Sequence, residues 1–228
     1  MNIWEKQYQK LGFDSERRYP NEALVQFLAI HFFPFPSKKR LKTKILEIGC
    51  GSGANLWIVA KEGFDTYGID YSPTGIKLCQ KMLDLWQTKA KIELGNMKKL
   101  NFKDGFFDSI FDVRSMQHVN LADHIKSYKE AFRCLKRGGR FFQFHIGARS
   151  ICFLNGGGNY IDKLTIDKIV NPDVPLNMRG LVCFLTPTDA REMLHSAGFK
   201  NIEIEIVSRT FKNMTQTVEY LSIQAQKL

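Results

Sequence analysis

The segment Ile45-Leu46-Glu47-Ile48-Gly49-Cys50-Gly51-Ser52-Gly53 constrains this chain more than any other. Ile45 to Ile48 is a short apolar run that ends in glycines, which by length and flanks reads as a buried strand. Ala54 to Glu62 then reads as a helix with Gly63 as its stop. A glycine loop between a strand and a helix lets the backbone turn sharply and lets a ligand approach the main chain. Asp70 ends the next predicted strand, Thr66 to Ile69, 21 positions after Gly49. A carboxylate at that distance accepts both hydroxyls of a ribose, so loop and acid together point to an adenosine-containing cofactor.

Gly49, Gly51 and Ala54 also satisfy the dinucleotide pattern G-x-G-x-x-G/A. Glu47 argues against a dinucleotide, because a carboxylate two residues before the first glycine would face a pyrophosphate of like charge. S-adenosyl-L-methionine has no phosphate and carries an ammonium and a sulfonium, beside which an acid is favourable.

The rest of the chain alternates strands and helices. Ser72-Pro73 opens a helix that runs to about Ala90, with Ser as N-cap and Pro at the first helical position. Ile92 to Leu94, Phe107 to Val113 and Arg140 to Ile146 read as further strands, with a helix over Ala122 to Leu135. This rhythm predicts an α/β, Rossmann-like, doubly wound sheet with helices on both faces and its ligand edge at the carboxyl ends of the strands. Two helices precede it, one carrying Trp4, Tyr8 and Leu11, the other opened by Pro20-Asn21 with Leu24, Phe27, Leu28 and His31 on one face. Gly147 to Leu185 reads as irregular. Thr188 to Ser196 reads as a helix, followed by strands over Asn201 to Thr210 and Val218 to Ala225. No repeat or long linker divides the chain. It is expected to form a single domain: helices over 1–44, a cofactor core over 45–146, a substrate-side insertion over 147–185 and a closing helix and strand pair over 186–228.

Composition excludes several classes. No apolar run approaches the roughly 20 residues that span a bilayer, and the first ten residues lack a signal-peptide core, so no membrane insertion is expected. The five cysteines are odd in number, scattered and without CxxC spacing, which excludes a zinc site or disulfide framework and fits a reducing cytoplasmic setting. The net charge of +10 invites a nucleic-acid reading. Half of that excess lies before Ile45, much of it in the run 38–44, which more often only keeps a surface wet.

With these motifs in this order, the chain resembles the class I S-adenosylmethionine-dependent methyltransferases of the small-molecule (type 11) kind. The likeness is strong over 44–146 and looser in the flanks. Gly68-Ile69-Asp70-Tyr71-Ser72 resembles the ribose-binding segment, Gly95-Asn96-Met97 the Gly-Asp-Met adenine segment, and Leu135-Lys136-Arg137-Gly138-Gly139 the Leu-Lys-Pro-Gly-Gly turn. The resemblance implies a seven-stranded, mostly parallel sheet with an antiparallel last strand and an N-terminal helical lid. It implies that Glu47, Gly49, Cys50, Gly51 and Gly53 border the methionine part of the cofactor. By the same likeness Asp70 holds the ribose, Tyr71 packs on the adenine, Asn96 and Met97 flank its edge, and the Arg114 carbonyl meets the amino group. Asn96 stands in for the expected Asp and accepts without charge. In the lid, Trp4, Tyr8, Arg18 and Tyr19 are candidates, with Arg18 placed to pair with the cofactor carboxylate.

Methyl transfer to a hydroxyl needs a proton removed. His118, just beyond the fourth strand, and His145, near the end of the fifth, are expected to project toward the ligand edge as candidate bases. His31 reads as packing, and His124 and His195 as helix-surface residues. Substrate choice is expected to lie in the N-terminal helices and in 147–185, whose Phe153, Asn155, Asn159, Tyr160, Asn171 and Arg179 suit a small polar metabolite or a glycan precursor. Two alternatives stand beside this: an RNA methyltransferase using the basic surface, and a cofactor-binding protein without turnover. The first lacks an Asn/Asp-Pro-Pro-aromatic loop at Asp112-Val113-Arg114-Ser115 and has no Pro-Cys nucleophile.

Overall fold

The computed structural model describes residues 3–176 and 180–228; Arg179 lies outside them. In chain order the elements are α1 (Ile3–Leu11), α2 (Glu22–His31), α3 (Ser37–Arg40), β1 (Lys44–Ile48), α4 (Leu56–Lys61), β2 (Asp65–Asp70), α5 (Pro73–Leu85), β3 (Lys91–Leu94), β4 (Phe107–Val113), α6 (Leu121–Cys134), β5 (Leu135–Ile146), α7 (Ile151–Leu154), β6 (Tyr160–Asp162), β7 (Thr165–Ile166), β8 (Val182–Cys183), α8 (Pro187–Ser196), β9 (Lys200–Phe211) and β10 (Gln216–Gln226).

Seven strands form the main sheet in the order β3-β2-β1-β4-β5-β10-β9. β1 to β5 pair in parallel, while β10 runs antiparallel to both β5 and β9. The strand order reverses between β1 and β4, so the crevice of such a sheet opens at their carboxyl ends. The helices start where their caps require. The Asn21 side chain accepts from Leu24 N–H, Ser72 from Gly75 N–H, Asn120 from Asp123 N–H and Thr186 from Asp189 N–H.

Alternation along β5 sends successive side chains to opposite faces. Phe142 stacks on Phe27 of α2 at 5.0 Å, whereas Phe141 meets Tyr128 of α6 at 5.7 Å. Helices therefore cover both faces, and the strands between them carry near-continuous apolar runs, as parallel sheets do. The core is rich in large aromatics: Phe27, Phe107, Phe111, Phe141, Phe142, Phe184 and Phe199 are fully buried. Phe-to-Ala changes at such sites cost about 3–5 kcal/mol.

Two expectations change. Residues 147–185 are not irregular throughout: β6, β7 and β8 make a small antiparallel sheet. Its strands are two or three residues long, too short for alternation to be read from the sequence. His124 is not a helix-surface residue. It is fully buried, because it stands on the same stripe of α6 as Tyr128 and Ala131, at i, i+4 and i+7. His195 is exposed as expected, and His31 packs on Phe27 at 5.1 Å while bonding Gln224 at 3.0 Å. Among the described residues no helix is long and apolar enough to cross a membrane.

Candidate active site

At the end of β1 the chain turns through Gly49, Gly51 and Gly53, all with positive φ (+68°, +50° and +86°). The close approaches explain why glycine stands there. A Cβ on Gly49 would lie 2.2 Å from Ser115 Cβ, and one on Gly51 would lie 2.5 Å from the Tyr8 hydroxyl oxygen. Gly53 would press on Cys79 and Met82 of α5. Cys50 is buried beside Cys79, and its surroundings push its thiol pKa up.

Three carboxylates surround this loop. Glu47 is almost fully buried on β1; Asn55 Nδ2 donates to its Oε1 at 2.6 Å, and its Oε2 has no hydrogen-bond partner. Burial raises its pKa, a shift moderated by the Asn55 bond and the Arg17 charge. Asp70, at the end of β2, accepts from Gly51 N–H at 2.9 Å and from Ser72 N–H at 2.8 Å. Those bonds aim the carboxylate into the crevice, while burial lifts its pKa to about 6. Glu16, between α1 and α2, accepts from the Tyr8 hydroxyl and from Ser52 Oγ at 3.4 Å.

Helix α1 closes over the crevice as a strap. Glu5 accepts from Thr74 N–H at 3.1 Å and from the Ser72 hydroxyl, which ties the strap to the start of α5. These donors hold the half-buried carboxyl down to about 2. On the other side Trp4 meets the His118 ring edge-on at 4.7 Å. The lid basic residue against the loop is Arg17, which donates to Asn55 Oδ1 at 2.9 Å. Arg18, the residue expected there, points instead at Asp14 at 3.0 Å, with its side chain more than half exposed. The sequence places the two arginines side by side, and only the turn before α2 decides which faces inward. Tyr19 is 65% exposed and touches Trp86, not the loop.

On the adenine side, Tyr71 is half exposed, Asn96 is exposed with its Oδ1 accepting from Lys98 N–H at 3.0 Å, and Met97 packs partly against the core. These three stand at the exits of β2 and β3, next to Asp70.

Beyond β4 lies a second half of the crevice. Asp112 is fully buried and gathers the turn: its Oδ1 accepts from Ser115 N–H and Met116 N–H, both at 3.0 Å, and its Oδ2 from Gln143 at 3.2 Å. Ser115 Oγ in turn donates to the Ile48 carbonyl at 2.8 Å, locking the β4 exit to the β1 exit. Arg114 adopts a left-handed backbone, φ +68°, and its guanidinium lies over the Tyr220 ring at 5.8 Å. The His118 Nδ1 donates to the Leu181 carbonyl at 3.0 Å, which makes Nδ1 the protonated nitrogen, and its Nε2 accepts from Gln117 Nε2 at 3.2 Å. Burial and the Arg114 charge pull its pKa to about 4.

His145 does not reach the open edge. It is fully buried beside His124, ring centroids 5.1 Å apart, and desolvation takes its pKa to about 3. Strand parity sends it to the α6 face, together with Gln143 and Phe141. Asn55, Arg17, Glu16 and Ser115 escaped sequence reading. Asn55 was the most findable, as a polar residue inside an apolar helix start eight positions after Glu47.

The donor set fits a cofactor with a ribose and a cationic centre. Asp70 offers a carboxylate already fixed by two backbone donors, and Glu47 offers a buried oxygen that none of the described residues satisfies. Buried carboxylates left in that state are costly unless a cation answers them. A profile of the methyltransferase domain family matches residues 46–143, the span from β1 to β5. Over those residues the chain matches the methyltransferase domain family, and it shares the fold of S-adenosylmethionine-dependent methyltransferases.

The relatives that this chain matches are named for varied substrates. It is 35% identical over 98 residues to the 2-methyl-6-phytyl-1,4-hydroquinone methyltransferase of Synechocystis, covering 42% of this chain and 30% of that protein. It is 29% identical over 149 residues to the ubiquinone biosynthesis O-methyltransferase of Pelagibacter ubique, covering 64% and 59%. The chain thus matches less than two thirds of either relative's length. In fold it is similar to an S-adenosylmethionine-dependent methyltransferase of Methanosarcina mazei, with a TM-score of 0.68, 21% identity, and 81% and 92% of the two chains covered.

Proposed function

We propose that this chain transfers a methyl group from S-adenosyl-L-methionine to oxygen or nitrogen of a small polar metabolite or a glycan precursor, in a reducing cytoplasmic setting. The observation that carries the reading is the buried Glu47 carboxylate, one oxygen unsatisfied, beside the glycine loop and across from Asp70. In this reading Asp70 accepts the ribose hydroxyls, Tyr71 and Met97 flank the adenine with Asn96 at its edge, and Glu47 answers the cofactor's positive charge. The Arg114 backbone carbonyl takes the ammonium, and Arg17 takes the carboxylate in place of Arg18.

When bound, the cofactor supplies an electrophilic methyl group on a sulfonium. The protein's part is to align the acceptor with it, which removes orientation entropy from the barrier, and to exclude water. The strap of α1, pinned by Glu5 and Trp4, serves the second task and must swing aside for entry, since Tyr8 and Glu16 stand close over Gly51. His118 is neutral at pH 7, and an acceptor hydroxyl or amine that displaces the Gln117 amide from its Nε2 would be oriented there. A pKa near 4 makes it a weak base, which favours an amine or an already acidic hydroxyl.

The experiment uses methyl-labelled S-adenosylmethionine, the purified protein and a fractionated lysate. Label in the small-molecule or carbohydrate fraction is the expected result. Label lost on ribonuclease treatment would replace this reading with the RNA one. No label alongside tight cofactor binding would point to a protein that binds without turnover.

A further inference from the structure

Arg114 has no partner that accounts for it. Its residue is only partly exposed, yet its Nε is buried with no hydrogen bond, and it forms no ion pair among the described residues. Around it lie the Tyr220 ring, Ser115, and the His118 and His145 imidazoles, both neutral at pH 7, and the charge that reaches it is a like one, the Arg17 guanidinium. Glu219, the buried carboxylate on β10 at this end of the sheet, accepts instead from Arg149 N–H at 3.3 Å and closes against Gly147. A guanidinium lined up in this way, with a donor free and no anion, is an arrangement that a carboxylate or phosphate completes with charge-assisted bonds.

The backbone makes the same point independently. A left-handed φ of +68° disfavours any residue with a Cβ, and arginine is not among the side chains that tolerate it through local hydrogen bonds. Glycine would serve the turn, and turns at Gly49, Gly51 and Gly53 in the same crevice use it. Strain of this kind collects where a side chain is needed at one place.

Position decides what the anion belongs to. Asp70 and the adenine-side residues lie toward β2 and β3; Arg114 lies on the other side of β1, over β5 and β10, beside His118. We propose that the Arg114 guanidinium is the anchor for an anionic group, carboxylate or phosphate, on the methyl acceptor. The assignment of this space to the acceptor rests on the methyltransferase reading above. It narrows the substrate class from small polar molecules to anionic ones, held so that the methylated atom faces His118.

The test uses the full-length protein saturated with S-adenosylhomocysteine, so that the cofactor's own carboxylate is already in place. Inorganic phosphate and, separately, acetate are titrated in and followed by the His118 imidazole resonances and by calorimetry. The wild type is expected to bind at least one of them saturably. Arg114→Gly is expected to weaken that binding roughly tenfold or more. Arg114→Lys is expected to retain part of it. Preference for phosphate or for acetate identifies the anion. Equal anion binding in wild type and Arg114→Gly overturns the proposal, as does no binding to wild type. If S-adenosylhomocysteine itself fails to bind, the methyltransferase reading fails separately, and the same titration on the cofactor-free protein still tests Arg114.

Discussion

The two halves of the crevice are built on different logics. Toward β2 and β3, the groups are carboxylates held by donors within 19 residues along the chain: Asp70 by the Gly51 and Ser72 N–H groups, Glu47 by the Asn55 side-chain amide. Toward β5 and β10, the groups are cationic or neutral, and each is held by something distant in sequence: His118 by Leu181 and Trp4, Arg114 over Tyr220. The first half is rigid because a turn and a strand end fix it. The second depends on the strap and on 147–185 docking correctly. Local bonding thus produces a half that suits one constant ligand, whereas long-range bonding produces one that loops can redesign.

The largest expected difference between the halves is in ligand affinity. Asp70→Ala should weaken S-adenosylmethionine binding by about 100-fold, the loss of two hydrogen bonds to a charged group, with no comparable effect on phosphate binding at Arg114. Isothermal titration of both ligands checks this, and equal losses would erase the division. Next in size is Gly51→Ala. Its Cβ would meet the Tyr8 hydroxyl at 2.5 Å on a φ of +50°, so the strap must lift and the loop must strain. A loss of about 1–3 kcal/mol is expected, together with faster proteolysis within α1.

The acid response separates the halves by sign. His145 titrates near 3 in the fold against an ordinary 6.5, so between those values the unfolded chain binds a proton that the fold does not. Stability from this group is therefore complete above about pH 6.5 and falls as the pH drops. Asp70 is raised to about 6, so it works oppositely: its cost to the fold is relieved on acidification from pH 7 toward 4. His145→Asn should flatten the acid limb of chemical denaturation measured from pH 7 to 4, by on the order of 3 kcal/mol. Cofactor affinity should instead fall as the pH drops through 6, when Asp70 takes up its proton, and should do so equally in wild type and His145→Asn.

The smallest effect belongs to neither half. Lys38 and Lys42 are exposed and precede the amino end of β1, away from the carboxyl edge that holds the crevice. Charge reversal of both should change stability by no more than about 0.5 kcal/mol and leave cofactor binding intact. A large loss of labelled product in an RNA fraction would give the run a function.

The cofactor half was legible because its chemistry is local. Glu47, the glycines, Asp70 and their spacing are one strand, one turn and one crossover, and backbone geometry forces them together at the sheet's switch point. The doubly wound sheet was legible for a related reason, since a βαβ rhythm admits few right-handed arrangements, whereas its strand order came from the structure. The short sheet β6-β7-β8 escaped, since two or three residues carry no period. His124 was misplaced although its spacing to Tyr128 and Ala131 marked a buried stripe. What only the tertiary structure decided is which polar groups face each other across the chain: Arg17 rather than Arg18 at the loop, His145 inside rather than at the edge, Arg114 without a counter-ion. Those outcomes depend on turns and packing between segments dozens of residues apart, whose energies are set by burial and by hydrogen-bond partners that no local pattern encodes.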